Sequence, residues 1–549
     1  MKEEPVKRAS IVKNGKTLLS GVDPEGRALK IVSALALRER TLYFCPSPLY
    51  GYGLSAFLSR VENETPSSAI LCVECDEELF ELSKNNIDIS ILKKPKLRLT
   101  NIQDAASLSD FIYNTWGARA FRRAEVARLS GGWQLKSDLY NSLYESVCAE
   151  IATDWGNALT LAKLGRLYIR NALRNLADIS RFSPLDKLSF GKKTVLVLGA
   201  GPSLDETLDM LKNNFSEAAE FPVRRGFKII CVDTCLGALK ERGIMPDLAV
   251  ILESQHWNLG DFIPCNGWNV PAAADLSCLP ASARVLDSGG YLFMTPWTRL
   301  RIFSRLKERG LLPPEIPPLG SVGLTAVEIA RRATSGNIIC SGLDFSFTAD
   351  KYHCKGAPGC FLKFIRQNRF RGLVSAEAYK EKSFPVLSKS GVPAFSSPVM
   401  RHYHETFKNE FSKDERLFDV MGTGLPLDLK TLTITETFNL LSADAKPEDQ
   451  KQGNDKNINN DNYKQNILSF FESELNRLNE LRRYLTNEEE IDRERFSVLI
   501  EECDYLWAHF PDYAGGRQSK LSDISFLKRI RAELDPMIKL LRNIINTGE

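Results

Sequence analysis

The run Thr194-Val195-Leu196-Val197-Leu198 is continuously apolar after its first residue and passes straight into Gly199-Ala200-Gly201-Pro202-Ser203-Leu204-Asp205-Glu206. Successive side chains of a strand point to opposite faces, so a run without polar alternation belongs to a strand covered on both sides, the condition of a parallel sheet flanked by helices. More short runs follow: Lys228-Ile229-Ile230-Cys231-Val232, Leu248-Ala249-Val250-Ile251-Leu252, Ala283-Arg284-Val285-Leu286 and Asn337-Ile338-Ile339-Cys340. Helical patterns lie between several of them, including Thr234 to Arg242 and Thr325 to Arg332. This alternation predicts an α/β fold, a Rossmann-like, mainly parallel sheet whose post-strand residues converge on one ligand-binding edge.

A chain of 549 residues is too long for one core, and five segments are expected. Residues 1–104 read as a smaller N-terminal Rossmann-like unit. There Arg40-Thr41-Leu42-Tyr43-Phe44-Cys45 leads to Gly51-Tyr52-Gly53, and Ser68-Ala69-Ile70-Leu71-Cys72-Val73 ends at Glu74, the strand, glycine turn and acid of a nucleotide-binding unit. Pro46 and Pro48 lack the N–H that phosphate would need, so a ligand-free scaffold and a working site both remain open. Residues 105–189 read as a helical connector, 190–445 as the catalytic domain, 446–466 as a flexible linker almost free of apolar side chains, and 467–549 as a C-terminal helical domain.

Lys plus Arg is 72 and Asp plus Glu 69, a surplus of +3 that is too small over this length to make nucleic acid the expected partner. The N-terminus has no apolar h-region and no window reaches membrane-spanning length, so a cytoplasmic protein without a membrane span is expected. The 12 cysteines, scattered and mostly within apolar runs, read as reduced core thiols, and the single Cys72-x-x-Cys75 has no second pair for zinc.

Gly199 and Gly201 after a buried strand let backbone approach an anion, and Ser203 adds a hydroxyl at the start of the next helix. Leu204 stands where a dinucleotide fingerprint has its third glycine, and Asp233 comes 32 positions after Gly201, so a mononucleotide fits better than NAD or FAD. Walker A is absent. On this reading Gly201→Val removes nucleotide binding without unfolding the protein.

With Cys231-Val232-Asp233-Thr234, Gly243-Ile244-Met245-Pro246-Asp247, Gly320-Ser321-Val322-Gly323, Ser341-Gly342-Leu343-Asp344-Phe345-Ser346-Phe347 leading to His353, and Val420-Met421-Gly422-Thr423-Gly424, residues 190–430 resemble the central domain of the motility accessory factor (Maf) family. The resemblance implies a flagellin glycosyltransferase that moves pseudaminic or legionaminic acid from its CMP donor to Ser or Thr of flagellin, with CMP-sugar and flagellin as partners. The same domain is similar to archaeal hydroxymethylpterin diphosphokinases (MptE-like), and Gly-x-Gly-Pro-Ser-Leu recurs in bacterial sialyltransferases that use CMP-sialic acid. Two departures concern specificity: Glu253-Ser254-Gln255 stands where the family commonly has Gln-Asp, and Gly342-Leu343-Asp344-Phe345 replaces Gly-Gln-Asp-Leu.

A diphosphate donor usually needs a divalent ion on Asp-x-Asp, which this sequence lacks, whereas a CMP-linked sugar leaves as a monophosphate that hydroxyls, amides and cations can stabilise. No cofactor or metal is therefore expected to be required beyond the donor, while a metal of a phosphoryl-transfer relative could sit on separated carboxylates such as Asp233, Glu253 and Asp344. The expected nucleotide-binding residues are Gly199, Ala200, Gly201, Pro202, Ser203, Asp233, Thr234, Glu253, Ser254, Ser321 and Gly342, and the expected catalytic residues are His353, Asp344 and Tyr352. His353 is the expected general base. His256 is next in line, while His402, His404 and His509 read as structural. The alternatives are a nucleotide-dependent diphosphokinase and a non-catalytic flagellin-binding factor.

Overall fold

The computed structural model describes residues 11–19, 21–117, 120–178, 181–216, 225–287, 289–297, 300–359, 365, 367–370, 382–443, 460–486, 492–510 and 523–547. Two units emerge, one of Met1–Gly165 with Leu506–Leu527, the other of Arg166–Tyr505 with Lys528–Glu549, and the helix Ser137–Ala177 runs from the first into the second.

In the first unit the strands Leu97–Thr100, Ala69–Val73, Thr41–Pro46 and Arg123–Val126 lie side by side in that order, all parallel. Alternation along Thr41–Pro46 divides two cores: Tyr43 and Cys45 join Phe57 and Val61 on one face, while Leu42 and Phe44 join Leu108 and Leu143 on the other. The strand Arg123–Val126 corrects the expected connector, because it completes the N-terminal sheet instead of bridging two domains. Its two charged residues among four hid it from an apolar pattern.

The second unit holds nine parallel strands in the order Lys430–Leu432, Leu417–Val420, Ile338–Ser341, Val195–Leu198, Lys228–Val232, Leu248–Ile251, Ala272–Asp275, Gly290–Phe293 and Phe182–Pro184. Val195–Leu198, Leu248–Ile251 and Ile338–Ser341 are buried at every residue, as continuous apolar runs require. The run Ala283 to Leu286 is a correction: Pro280 starts the helix Pro280–Val285, and the neighbouring strands are Ala272–Asp275 and Gly290–Phe293.

The expected linker lies outside the described residues up to 459, and from Asn460 the chain is helical to Leu485. The C-terminal helices do not stand apart as expected; they belong largely to the unit of the nine-strand sheet. The Arg305 guanidinium donates from Nε and Nη2 to the two oxygens of buried Glu474 at 2.7 and 2.8 Å, and the Asp504 carboxylate accepts from the Arg301 amide at 3.1 Å. Of the cysteines, 11 are seen as free thiols, all buried except half-buried Cys148.

Candidate functional site

Strand order reverses between Val195–Leu198 and Ile338–Ser341, since the chain winds outward from the first through Lys228–Val232 and returns on its other side. At such a switch point two post-strand loops diverge and leave a crevice. Here the loops first interlock. The Gly199 amide donates to Ser341 O and the Gly201 amide to Gly342 O, both at 2.8 Å, and the Ser203 amide donates to Asp344 Oδ2 at 2.8 Å. The Ser203 hydroxyl donates to Asp344 Oδ1. Gly342 is left-handed, with φ +70°, and a Cβ there would sit 2.8 Å from Gly199 O.

These contacts correct three expectations. The amides of Gly199, Gly201 and Ser203 serve the neighbouring loop and not a phosphate. A Cβ on Gly201 would lie 2.5 Å from Asp344 Oδ2, so Gly201→Val should disturb folding, contrary to the clean loss of binding expected. Asp344, 3% exposed and holding Ser203 with both oxygens, is a loop-tying residue and not an accessible catalytic acid. Burial pushes its carboxyl above the ordinary range, against the Ser203 hydrogen bonds.

The loop after this interlock carries the accessible chemistry. His353 is half-buried, with Nδ1 3.2 Å from Ala200 O. A carbonyl oxygen only accepts, so Nδ1 carries the proton and the basic lone pair lies on Nε2. The Cys354 amide donates to the same oxygen at 2.9 Å, which fixes this loop on the glycine turn. Tyr352 packs edge-on against His353, ring centroids 4.8 Å apart and 84° between planes, and against buried Phe347. The irregular backbone lets these neighbours share a side, which a strand would forbid. Asp205 gathers two cations beside them, pairing with Lys351 and lying 3.5 Å from Arg242, and it also accepts from the Lys355 backbone amide at 2.9 Å.

The adjacent strand ends supply a second row. Asp233 is buried, accepting from the Thr234 amide and from Asn258 Nδ2, each at 2.9 Å, and burial raises its pKa. Asp261 is pushed up to about 7 by burial and then by Asp233. Ser254 is 3% exposed, its carbonyl accepting from Asn171 at 3.1 Å, whereas Glu253 before it is exposed. Ser321 caps the helix Val322–Ala333, whose Gly323 lies against Leu343.

The sequence-selected residues thus divide. Gly199, Pro202, Gly342, Asp344, Asp233 and Ser254 form a buried frame, while Ala200, Gly201, Ser203, Thr234, Ser321, Tyr352, His353 and Glu253 keep accessible surface. His256 is exposed, and His404 on the helix Pro398–Phe411 donates from Nε2 to Pro426 O at 2.8 Å. Sequence reasoning missed Lys389, which makes a 2.6 Å buried ion pair with Asp419 beside Asp344, and Asp275, which holds Ser277 and Thr295. No apolar run marked either acid, since Asp275 closes a run of alanines and Asp419 interrupts its own strand. Among the described residues no three His, Cys, Asp or Glu side chains come together as a metal site. Among those residues, too, no helix is long and apolar enough to cross a membrane.

A doubly wound central sheet with half-buried His353 beside its switch point defines an α/β fold of the kind that binds ligands at the carboxyl edge of its strands. Residues 170–350 match the family model described as 6-hydroxymethylpterin diphosphokinase MptE-like. The solved Maf glycosyltransferase from Magnetospirillum magneticum AMB-1 shares the fold, with a TM-score of 0.52 over 99% of this chain and 86% of that one, at 14% identity. An uncharacterized protein of Treponema pallidum (strain Nichols) is 26% identical over 543 residues, 94% of this chain and 90% of its own length. A second protein from that organism is 28% identical over 106 residues, which are 19% of this chain and 46% of its own length. The chain therefore has the Maf-type fold with an MptE-like central domain, as its motifs implied.

Proposed function

We propose that this chain is a cytoplasmic glycosyltransferase that moves a nonulosonic acid, pseudaminic or legionaminic in type, from CMP to Ser or Thr hydroxyls of flagellin. The observation that carries this reading is His353, fixed through Nδ1 on the Ala200 carbonyl at 3.2 Å so that its basic nitrogen is Nε2. Nε2 takes the proton of the acceptor hydroxyl, the oxygen bonds to the anomeric carbon, and the bond from that carbon to the phosphate oxygen breaks with its electron pair leaving on CMP. Tyr352, packed on His353, donates to the departing phosphate, and Lys351, held by Asp205, adds positive charge beside it. Donor and acceptor together account for every bond made and broken.

The MptE-like match over residues 170–350 favours a second reading, transfer of diphosphate from ATP to a pterin alcohol. Incubation with each donor separates them. CMP released from the CMP-sugar, with mass added to flagellin, supports the transferase; AMP formed from ATP supports the diphosphokinase. Flagellin binding with neither product leaves a scaffold.

A further inference from the structure

Trp257 is 76% exposed, although an indole gains more than most side chains by leaving water. It is nevertheless held in place. It sits in the single turn His256–Asn258, where Asn258 Nδ2 is bonded to Asp233 Oδ2 at 2.9 Å and, just before, the Gln255 amide to Glu253 Oε1 at 3.0 Å. The His256 ring lies on the indole, centroids 4.0 Å apart and planes 38° from parallel. An aromatic pair on a pinned turn at the ligand edge of a sheet is a prepared surface for another flat ring.

We propose that His256 and Trp257 form the stacking platform for the nucleobase of the donor, and that Glu253 accepts a hydrogen bond from the base's exocyclic amine. The loop then selects an amine-bearing base such as cytosine over uracil. This inference rests on the nucleotide-donor reading above. The strand preceding Glu253, Leu248–Ile251, is second from Val195–Leu198 in the sheet, so this turn stands about 10 Å, at ~4.8 Å per strand, from the glycine turn on which His353 and Tyr352 rest, a span that a nucleoside monophosphate bridges from a phosphate beside Tyr352 to the base. Glu253 is exposed and keeps Oε2 without a protein partner among the described residues, while Oε1 is oriented by the Gln255 amide. A carboxylate accepts well from the cytosine amine and repels the O4 carbonyl that uracil presents at the same place. The exposed carboxylate also makes a phosphate or a second acidic group a poor occupant of this loop.

The test is titration of CMP and UMP into the full-length protein, followed by calorimetry and tryptophan emission. The parent should prefer CMP and lose indole emission on binding it. Trp257→Ala should weaken CMP binding about tenfold or more, and Trp257→Phe should retain most of it, since stacking on one aromatic ring contributes on that scale. Glu253→Gln should narrow the CMP over UMP preference by about fivefold or more while leaving UMP affinity equal or better. Parental CMP affinity in Trp257→Ala, or equal affinity of the parent for CMP and UMP, overturns the platform and leaves the donor reading standing. A parent that binds neither nucleotide overturns both.

Discussion

In the four-strand sheet the order reverses beside Thr41–Pro46, just as in the nine-strand sheet it reverses beside Val195–Leu198. Each reversal is followed by a glycine-containing turn and then by a helix, Leu54–Glu64 in one and Leu204–Phe215 in the other. The crevices differ in what fills them. Beside the first, Ser47 is fully buried with φ +50°, and its hydroxyl donates to Glu74 Oε2 at 2.6 Å. Tyr140 donates to Glu74 Oε1 at 2.8 Å, the Asp76 amide to the same oxygen at 3.1 Å, and Gly132 leaves no room for a Cβ beside the Ser47 hydroxyl. The acid that a ribose would need is 1% exposed and already has three donors. Beside the second reversal the turn is satisfied internally too, yet His353, Tyr352 and Ser203 remain partly exposed above it. A glycine turn followed by an acid therefore marks the winding of the sheet, and ligand competence lies in the polar groups that stay accessible after the frame is complete.

The sharpest way to break this comparison is to disable one group in each crevice. His353→Ala should lower turnover by ~10²–10⁴-fold with CMP affinity nearly intact, because the base meets the acceptor and not the nucleotide. Glu74→Gln should leave kcat/KM unchanged in the folded protein. Steady-state kinetics with flagellin and donor check both, and a Glu74 variant that loses turnover as His353→Ala does would make the N-terminal crevice a working site.

Next in size is the frame itself. Asp344→Ala strips the partner from the Ser203 amide and hydroxyl in a buried place, which should cost about 2–4 kcal/mol in urea unfolding. Glu74→Gln should cost about 1–2 kcal/mol, since one amide oxygen replaces a carboxylate that accepts from three groups. Parental stability in Asp344→Ala would show that the two loops do not depend on each other.

The strands that build the central edge were legible where apolar residues run together, as at Val195–Leu198, Lys228–Val232, Leu248–Ile251 and Ile338–Ser341. Ala272–Asp275 was not, because alanine carries little apolar surface, and Leu417–Val420 was not, because Asp419 interrupts it. The partner that neutralises Asp419 is Lys389, 30 residues earlier on another element. The same distance problem governs the site. Gly199 to Ser203 read as a backbone approach to an anion, but whether their amides face a ligand or a loop depends on Asp344, 141 residues beyond Ser203. No local pattern encodes that pairing. His353 stood out by its place after a strand, whereas the carbonyl that sets its tautomer belongs to Ala200, 153 residues away.

The smallest expected effect separates the rows of acids by pH. Asp261 is pushed up to about 7, first by burial and then by Asp233, with the Thr234 hydrogen bond opposing. A carboxyl whose folded pKa lies above its unfolded value of ~3.9 binds its proton more tightly when folded, so stability falls as pH rises from about 4 through about 7. Asp261→Asn imitates the protonated form and should raise the unfolding temperature by about 2–4 °C at pH 8, with the gain gone by pH 4. Glu74 is raised by burial as well, but its three donors favour the carboxylate, so Glu74→Gln should not gain stability at pH 8. Thermal unfolding of both variants at pH 4, 6 and 8 reads the difference. An Asp261→Asn gain that persists at pH 4 would assign it to packing, and the acid would then have no titrating role beside Asp233.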